Sequence, residues 1–278
     1  MASMAVLPLL GRSPRRGLTN GQIQFGCQTN AWPIHPADSA TLFSALGNIH
    51  DLGFTGFETG FANVLPLADK PAELKQNSHG LTEFGVHIFL QHYDPATSLA
   101  PPELVGKTAA IGAKLGFQRL ILSGEPTTNE TALKAKADAL NRYGKQANEL
   151  GMKLAYHNHG PEFKGTNPEI ESLLSNTDPS LVWLLLDAGH AFDAGADVVA
   201  FVSRHSARLT GLHLRDYRNG SQVPLGEGNF PLAAVAKALH QNHWNGWALA
   251  EEERLDGSKP GDAAAGPAFA ALHKAFEF

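Results

Sequence analysis

Residues 181–190 read LVWLLLDAGH, an apolar segment that stops at an aspartate and a histidine. Three other segments in the second half of the chain have the same form: MKLAYHNH at 152–159, TGLHLRD at 210–216 and WALAEEE at 247–253. Short apolar runs of this kind are typical of buried parallel strands, and the side chains at the carboxyl ends of such strands meet at one edge. The sequence therefore predicts parallel strands that gather carboxylates and imidazoles at one end.

The whole chain alternates between extended and helix-like segments. Gly53, Gly116 and Gly151 each stand where a helix would end before a strand. Alternation at a spacing of about thirty residues indicates parallel βαβ units, and eight such units indicate a closed barrel. The predicted strands cover residues 23–30, 54–60, 86–92, 119–123, 152–158, 181–187, 209–214 and 247–251, and the predicted helices cover residues 41–52, 102–115, 131–150, 168–175, 197–206 and 231–241.

We predict one α/β domain, a single (β/α)8 TIM barrel with parallel strands, over residues 21–278. An open doubly wound sheet is the alternative, but it would usually have a glycine-rich phosphate turn after its first strand, and GQIQFGCQTNAW at 21–32 has none. Residues 256–266 fit a loop after the last strand. Residues 1–20 are predicted to form a flexible tail, or alternatively the remnant of an export leader that starts upstream of Met1.

The composition excludes several classes of protein. The chain has 22 basic and 27 acidic residues and a net charge of −5, so it lacks the basic surface that binds nucleic acid. Cys27 is the only cysteine, which excludes an intramolecular disulfide and a CxxC motif. No apolar run approaches the roughly 18 residues of a membrane span. We expect a cytoplasmic protein, or an exported one if the leader exists, that acts on a small molecule and could form homo-oligomers.

Three predicted strand ends carry residues suited to binding a metal. Asp187 closes LVWLLLD, His213 lies within LTGLHLRDY and Glu251 closes GWALAE. A buried carboxylate is costly unless a cation meets it. A lone histidine on an apolar strand is more often a hydrogen-bonded core residue. Here Asp187 and Glu251 stand at corresponding positions on the neighbouring strands, which favours a metal shared by the three residues. Of Glu252 and Glu253, one is expected at the surface or behind the ligands.

The fifth predicted strand ends on YHNH, an unusual concentration of polar rings. His157 and His159 share a face by alternation, and Glu162 follows just beyond the strand. These residues could supply a metal ligand and a base. Glu58 ends the second predicted strand and His92 the third, so both are predicted to reach the same end of the barrel, where each either binds substrate or pairs with a neighbour.

A set of two or three carboxylates with one imidazole is rich in oxygen. It suits Mn²⁺, which we expect, ahead of Mg²⁺, Co²⁺ or Zn²⁺. A metal with open positions can hold two neighbouring oxygens of a hydroxy-ketone and stabilise the enediolate formed when the α-proton leaves. A base within hydrogen-bond reach would complete such a site.

At these residues the chain resembles the xylose isomerase-like barrel superfamily, the sugar phosphate isomerase/epimerase group. The motifs that carry the resemblance are GFTGFE, YHNHGPEF, LLLDAGH, HLRD followed by PLGEGNF, and GWALAEE. The resemblance implies one divalent metal held by an Asp, a His and two Glu, three of which are Asp187, His213 and Glu251. Relatives place the fourth ligand where this chain has His157. In the YHNHxxEF subgroup that the sequence resembles, we expect Glu162 to reach the metal, with His157 as the competing ligand.

The resemblance further implies an isomerase or epimerase of a small sugar or keto-sugar that acts through a metal-stabilised enediolate. The family's epimerases use two metal-bound glutamates on opposite faces of the sugar, and His157 departs from that pattern. The alternative is therefore a lyase or dehydratase that eliminates a β-substituent from a keto-inositol or a 3-keto-glycoside. The expected catalytic residues are His159, His190, Glu251 and Glu162, and the expected substrate-binding residues are Glu58, His92, His157 and Arg215.

Two other classes of function stay open. An abasic-site endonuclease shares the barrel but uses three zinc ions, and the acidic balance disfavours a surface that follows phosphates. A non-catalytic sugar-binding barrel would not need a metal. Within the barrel, residues 226–229, GEGN, could form either a phosphate site or a plain loop.

Overall fold

The eight predicted strands close into one barrel, which confirms the predicted fold class and (β/α)8 architecture. The structure, a computed structural model, describes residues 23–127, 129–165, 168–252 and 257–277; the predicted tail over residues 1–20 and Glu253 lie outside the described residues. The strands are β1 (Gln24–Gln28), β2 (Gly56–Gly60), β3 (Thr82–Ile88), β4 (Arg119–Leu122), β5 (Lys153–His157), β6 (Val182–Asp187), β7 (Leu209–Leu214), β8 (Asp216–Arg218), β9 (Ser221–Val223) and β10 (Trp247–Ala250).

The barrel consists of β1 to β7 in chain order and of β10, which pairs with β7 and β1 and so closes the sheet. β8 and β9 form a separate antiparallel hairpin. The α-helices of the described residues are α1 (Ser39–Asp51), α2 (Phe61–Val64), α3 (Pro71–Asn77), α4 (Pro102–Leu115), α5 (Glu130–Glu149), α6 (Glu169–Asn176), α7 (Ala188–Asp193), α8 (Val198–His205), α9 (Leu232–Gln241) and α10 (Asp262–Phe276).

Local sequence signals determine several helix ends. The Asp38 side chain accepts a hydrogen bond of 3.0 Å from the backbone N of Ala40 at the start of α1. Gly53, Gly116 and Gly151 have φ angles of 103°, 92° and 76°. This is the left-handed region that glycine adopts without steric cost, as the prediction of helix-ending glycines requires.

Two boundaries differ most from the prediction. The sequence predicts the third strand at residues 86–92, whereas β3 spans Thr82–Ile88. The apolar run continues beyond the strand into a turn where Phe89 is 50% exposed, so hydrophobicity alone misplaces the strand. The predicted loop over residues 256–266 is also too long. Helix α10 already begins at Asp262, because the alanines of DAAAGPAFAAL favour a helix.

Strand alternation divides the apolar core into two parts. Residues that face outward pack beneath the helices in one large core. A smaller cluster fills the barrel interior beneath the carboxyl ends of the strands. Among the described helices, none has the length and hydrophobicity needed to cross a membrane. The interior cluster consists of Phe84, Ile121, Ala155, Leu185, Trp247 and Leu249.

Candidate metal centre

The two-residue period of the strands carries four polar side chains into the barrel. Residues i and i+2 of a strand face the same side, so a residue two positions after an interior apolar residue also points inward. Ala155, Leu185 and Leu249 belong to the interior cluster, and Gly211 lies against two of them. The inward-facing residues that follow these four are His157, Asp187, Glu251 and His213.

The four residues form one compact and buried group. His157, Asp187, His213 and Glu251 each offer one ligand atom, and the four atoms lie within 4.8 Å of one another. Nε2 of His157 lies 2.9 Å from Nδ1 of His213 and 3.6 Å from Oδ2 of Asp187. Nδ1 of His213 lies 2.6 Å from Oε2 of Glu251. None of the four is more than 3% exposed. Such a group can hold a divalent cation.

Arg215 brings positive charge to this group. Its Nη2 atom lies 3.0 Å from Oδ2 of Asp187 and 2.6 Å from Oε2 of Glu251. Burial alone would raise the pKa of Glu251, but Arg215 and His213 hold that pKa well below its usual value. Burial alone would lower the pKa of His213, but Glu251 and Glu58 raise it well above its usual value. Arg215 and His213 therefore partly neutralise the carboxylates of the group.

Backbone contacts fix the orientation of Asp187. Its Oδ1 accepts a hydrogen bond of 2.7 Å from the backbone N of His190 and so caps α7. The Asn158 side chain pairs with the backbone N and O of Asp187 at 2.9 and 3.1 Å. Within the described part of the chain, Oδ2 of Asp187 and Oε2 of Glu251 contact cationic groups but make no hydrogen bond. Carboxylate oxygens that converge with two imidazole nitrogens in this way fit a metal site.

Glu58 is predicted to bind substrate or to pair with a neighbour, and in the structure it pairs with two histidines behind the group. Its Oε2 atom lies 2.7 Å from Nε2 of His213, and its Oε1 lies 3.0 Å from Nδ1 of His87. Nε2 of His87 lies 2.9 Å from Oγ of Ser123, which lies 3.3 Å from Nδ1 of His157. Burial would raise the pKa of Glu58, but His213 and His87 lower it. His87 and Ser123 are not among the predicted site residues. Ser123 follows the interior residue Ile121 by two positions, so strand alternation would place it inward, whereas an irregularity in the pairing of β2 with β3 at Phe84 brings His87 inward.

Glu162, predicted to be the fourth ligand, lies outside the group. It belongs to the 3₁₀-helix Pro161–Phe163. Its Oε1 accepts a hydrogen bond of 2.9 Å from the Tyr156 hydroxyl, and its Oε2 accepts one of 3.1 Å from the backbone N of His159. Burial raises the pKa of Glu162 to about 7. Because both oxygens are engaged on the far side of β5, His157, the competing ligand, takes the place predicted for Glu162 in the group.

His159 and His190 lie half-buried beside the group. Their ring centres are 5.6 Å apart, and Nε2 of His190 lies 3.7 Å from Oδ2 of Asp187. Nδ1 of His190 lies 3.2 Å from the Tyr217 hydroxyl. Burial, with a contribution from His190, lowers the pKa of His159 to about 4, so this ring is neutral at neutral pH. His92 does not end β3 as predicted, and it lies exposed in the turn that follows.

The GEGN loop at residues 226–229 already surrounds a carboxylate of the protein. Asp216 accepts four backbone hydrogen bonds of 2.8 to 3.0 Å, from Tyr217, Gly226, Gly228 and Phe230. A Cβ atom on Gly228 would lie 2.0 Å from Oδ1 of Asp216, so this close approach requires glycine. The geometry does not support the phosphate-site alternative, because an internal anion occupies the N–H groups.

Comparisons with known proteins agree with this fold. Residues 46–273 match the family model described as xylose isomerase-like TIM barrel. An inosose dehydratase from Clostridium beijerinckii is 33% identical over 153 residues, which cover 48% of this chain and 51% of that protein. The chain therefore spans about half the length of that relative. An inosose dehydratase from Clostridium perfringens is 28% identical over 234 residues, which cover 73% of this chain and 79% of that protein.

A solved structure has the same architecture. A sugar phosphate isomerase/epimerase from Parabacteroides distasonis superimposes with a TM-score of 0.72 at 20% sequence identity. The superposition covers 93% of this chain and 97% of that protein. At this level of identity the likeness concerns the fold alone.

Proposed function

This chain belongs to the xylose isomerase-like TIM barrel family, and on that premise we propose that it is a metal-dependent lyase. It would eliminate water from a keto-inositol, or a β-substituent from a related 3-keto-glycoside. The curated relatives from Clostridium, both named inosose dehydratase, support this reaction. From the sequence this reaction is the alternative to a sugar isomerase or epimerase, which becomes the second candidate.

The end of β5 is the observation that carries the proposal. His157 stands where the resemblance implies a glutamate ligand, and Glu162 engages Tyr156 and the His159 backbone instead. Glu251 is then the only glutamate among the four candidate ligands. Epimerisation by two glutamates needs one on each face of the sugar. A β-elimination needs a single base that removes one α-proton, so this donor set favours the lyase.

We propose that His157, Asp187, His213 and Glu251 hold one divalent metal. Bound there, the metal would polarise the ketone and stabilise the negative charge that develops when the α-proton leaves. Two imidazoles with two carboxylates are a softer set than the one predicted from the sequence. The set therefore favours Mn²⁺, Co²⁺ or Zn²⁺ over Mg²⁺.

The chain's own residues would transfer the proton and orient the substrate. Because His159 is neutral at neutral pH, a ring nitrogen can accept the α-proton. The C–H electrons then form the new C=C bond, the β C–O bond breaks, and the departing oxygen takes a proton from His190 and leaves as water. The Tyr217 hydroxyl contacts Nδ1 of His190, which leaves Nε2 for this donation. Arg215 stays charged and holds substrate oxygen without giving up a proton.

The experiment is incubation of the metal-loaded protein in D₂O with a keto-inositol, a 3-keto-glycoside and a panel of ketoses. Loss of water or aglycone, detected by mass spectrometry, supports the lyase. A deuterated sugar of unchanged formula supports the isomerase or epimerase instead. His159→Gln and His190→Gln should each reduce kcat by about 10²- to 10⁴-fold. His50→Gln, at an exposed site on α1, should leave kcat unchanged.

Two further assays address the two classes that the sequence leaves open. Cleavage of DNA at abasic sites, with three metals per chain, would support the endonuclease. Sugar binding that survives Asp187→Ala and Glu251→Ala, with no product from any substrate, would support a non-catalytic barrel. Either result would overturn the lyase proposal.

A further inference from the structure

We infer that Glu58 is a positioning residue that determines which ring nitrogen of His157 and of His213 faces the metal. The inference rests on the proposed function, since it concerns the ligands of the proposed metal. Glu58 is fully buried, and each of its oxygens contacts an imidazole. Both oxygens are engaged by imidazoles, so the inference gives Glu58 the second of its two predicted roles, pairing with a neighbour.

Glu58 orients His213 directly. A carboxylate in its ordinary ionised state accepts hydrogen bonds and donates none. Nε2 of His213, 2.7 Å from Oε2 of Glu58, must therefore carry the hydrogen. A metal binds an imidazole nitrogen through its lone pair, so a His213 that binds the metal keeps hydrogen only on Nε2. Nδ1 of His213 thus presents its lone pair, and this atom faces Glu251 and His157.

Glu58 orients His157 through two intermediate residues. Its Oε1 accepts a hydrogen bond of 3.0 Å from Nδ1 of His87, so Nε2 of His87 is an acceptor. The Ser123 hydroxyl donates to that Nε2 at 2.9 Å. The Ser123 oxygen, 3.3 Å from Nδ1 of His157, then accepts a hydrogen bond from this nitrogen. The lone pair of His157 is left on Nε2.

Both chains of hydrogen bonds end at the same point. Nε2 of His157 and Nδ1 of His213, the nitrogens that would present lone pairs to the metal, are 2.9 Å apart, next to Oδ2 of Asp187 and Oε2 of Glu251. Electron-rich atoms this close repel one another unless a proton or a metal cation lies among them. Ligating histidines are commonly oriented by a partner on the second ring nitrogen. Here one carboxylate orients two of them.

Glu58→Gln tests the inference because glutamine has the size of glutamate but cannot accept hydrogen bonds from both imidazoles. Its amide oxygen can accept from one ring, while its NH₂ group must donate to the other. The ring that receives the donated hydrogen bond must then carry its own hydrogen on the opposite nitrogen. As a result, an N–H group, and not a lone pair, faces the other ligands from His213 or, through His87 and Ser123, from His157. We expect the Kd for Co²⁺ and for Zn²⁺, measured by isothermal titration calorimetry, to rise about 10- to 100-fold.

Glu83→Gln is the matched control. Glu83 is a buried glutamate near the start of β3, where it pairs with Lys75 at 3.7 Å. Its variant makes the same chemical change in a barrel strand away from the ligands. It should bind both ions with the affinity of the wild type. A similar loss of affinity in both variants would mean that removing any buried carboxylate loosens the barrel, and the inference would fail.

Nitrogen NMR of the isotope-labelled, Zn²⁺-loaded protein provides a second measurement that does not depend on the Glu58 variant. The wild type should carry hydrogen on Nε2 of His213 and on Nδ1 of His157. Ser123→Ala breaks only the chain to His157, so it should change the His157 signals and leave those of His213 in place.

The outcomes separate the inference from the proposed function. Equal affinity of the wild type and Glu58→Gln, or hydrogen on Nδ1 of His213, would overturn the role of Glu58 while leaving the metal site intact. Failure of the wild type to bind either ion would overturn the metal site and the proposed function together.

Discussion

The ammonium group of Lys136 lies 2.7 Å from the Glu169 carboxylate, and the lysine side chain is fully buried. Nζ also donates a hydrogen bond of 2.9 Å to the backbone O of Glu125 and lies 4.9 Å from the centre of the Tyr156 ring. Lys136 therefore connects α5 and α6 to β5, the strand that ends in His157.

Lys136→Met should lower the free energy of unfolding by about 3 to 5 kcal/mol, because it leaves the Glu169 charge buried without a cation. Urea denaturation followed by circular dichroism measures this loss. Lys134→Met changes a 74% exposed lysine of the same helix, paired with Asp138. It should cost less than about 0.5 kcal/mol. Similar losses in the two variants would contradict the importance of the buried pair.

The contribution of Glu162 to the stability of the protein should fall with rising pH. Its pKa is about 7 in the folded protein against an ordinary value of 4.5, so the folded state holds an additional proton between these values. The contribution of this proton to the free energy of unfolding should decrease across this window by up to about 3 kcal/mol, while His159, whose pKa is lowered to about 4, contributes an opposite change that Glu162→Gln leaves in place. Glu162→Gln has no proton to lose and should remove the decrease. Denaturation curves at several pH values compare the two proteins, and parallel curves would refute the assignment.

Metal content should distinguish the ligands from their neighbours. Elemental analysis of protein purified without chelator should find metal in the wild type and in Glu162→Ala. His157→Ala and Asp187→Asn each remove a donor of the group and should lose most of the metal. Metal that is kept by His157→Ala and lost from Glu162→Ala would restore Glu162 as the ligand.

Asp216→Asn should loosen the loop over residues 226–230. The amide has one acceptor oxygen, and its NH₂ group would face backbone donors that the carboxylate now satisfies. We expect a loss of about 3 kcal/mol in the free energy of unfolding and faster hydrogen exchange at the Gly226 and Gly228 amides. Asp193→Asn, at an exposed position, is the control and should change neither quantity.

Strand alternation explains why much of the fold and part of the site can be predicted from the sequence. Asp187, His213 and Glu251 stand at or near the ends of apolar runs, and a closed barrel brings such ends together. The structure gathers the three residues as predicted. Their role as ligands stays a prediction.

The remaining features depend on contacts that a single sequence does not reveal. Glu162 follows His157 by a few positions, and only the turn of the 3₁₀-helix Pro161–Phe163 decides which of them faces the barrel. The sequence places His92 at the end of the third strand because the apolar run continues to this region. In the structure, β3 pairs with β4 only as far as Ile88. The partners of Glu58 come from distant strands, so its local sequence favours a substrate contact and a structural contact equally.

Arg215 gives the barrel a counter-charge of its own. Its guanidinium group touches the same oxygens of Asp187 and Glu251 that the ion would bind, so a chelator that strips the ion does not leave two bare negative charges in the interior. The protein should then stay folded through demetallation, in contrast to small domains that fold only around their metal. One preparation could thus be emptied and refilled with each ion in turn, and the preference for Mn²⁺, Co²⁺ or Zn²⁺ could be measured on the same molecules.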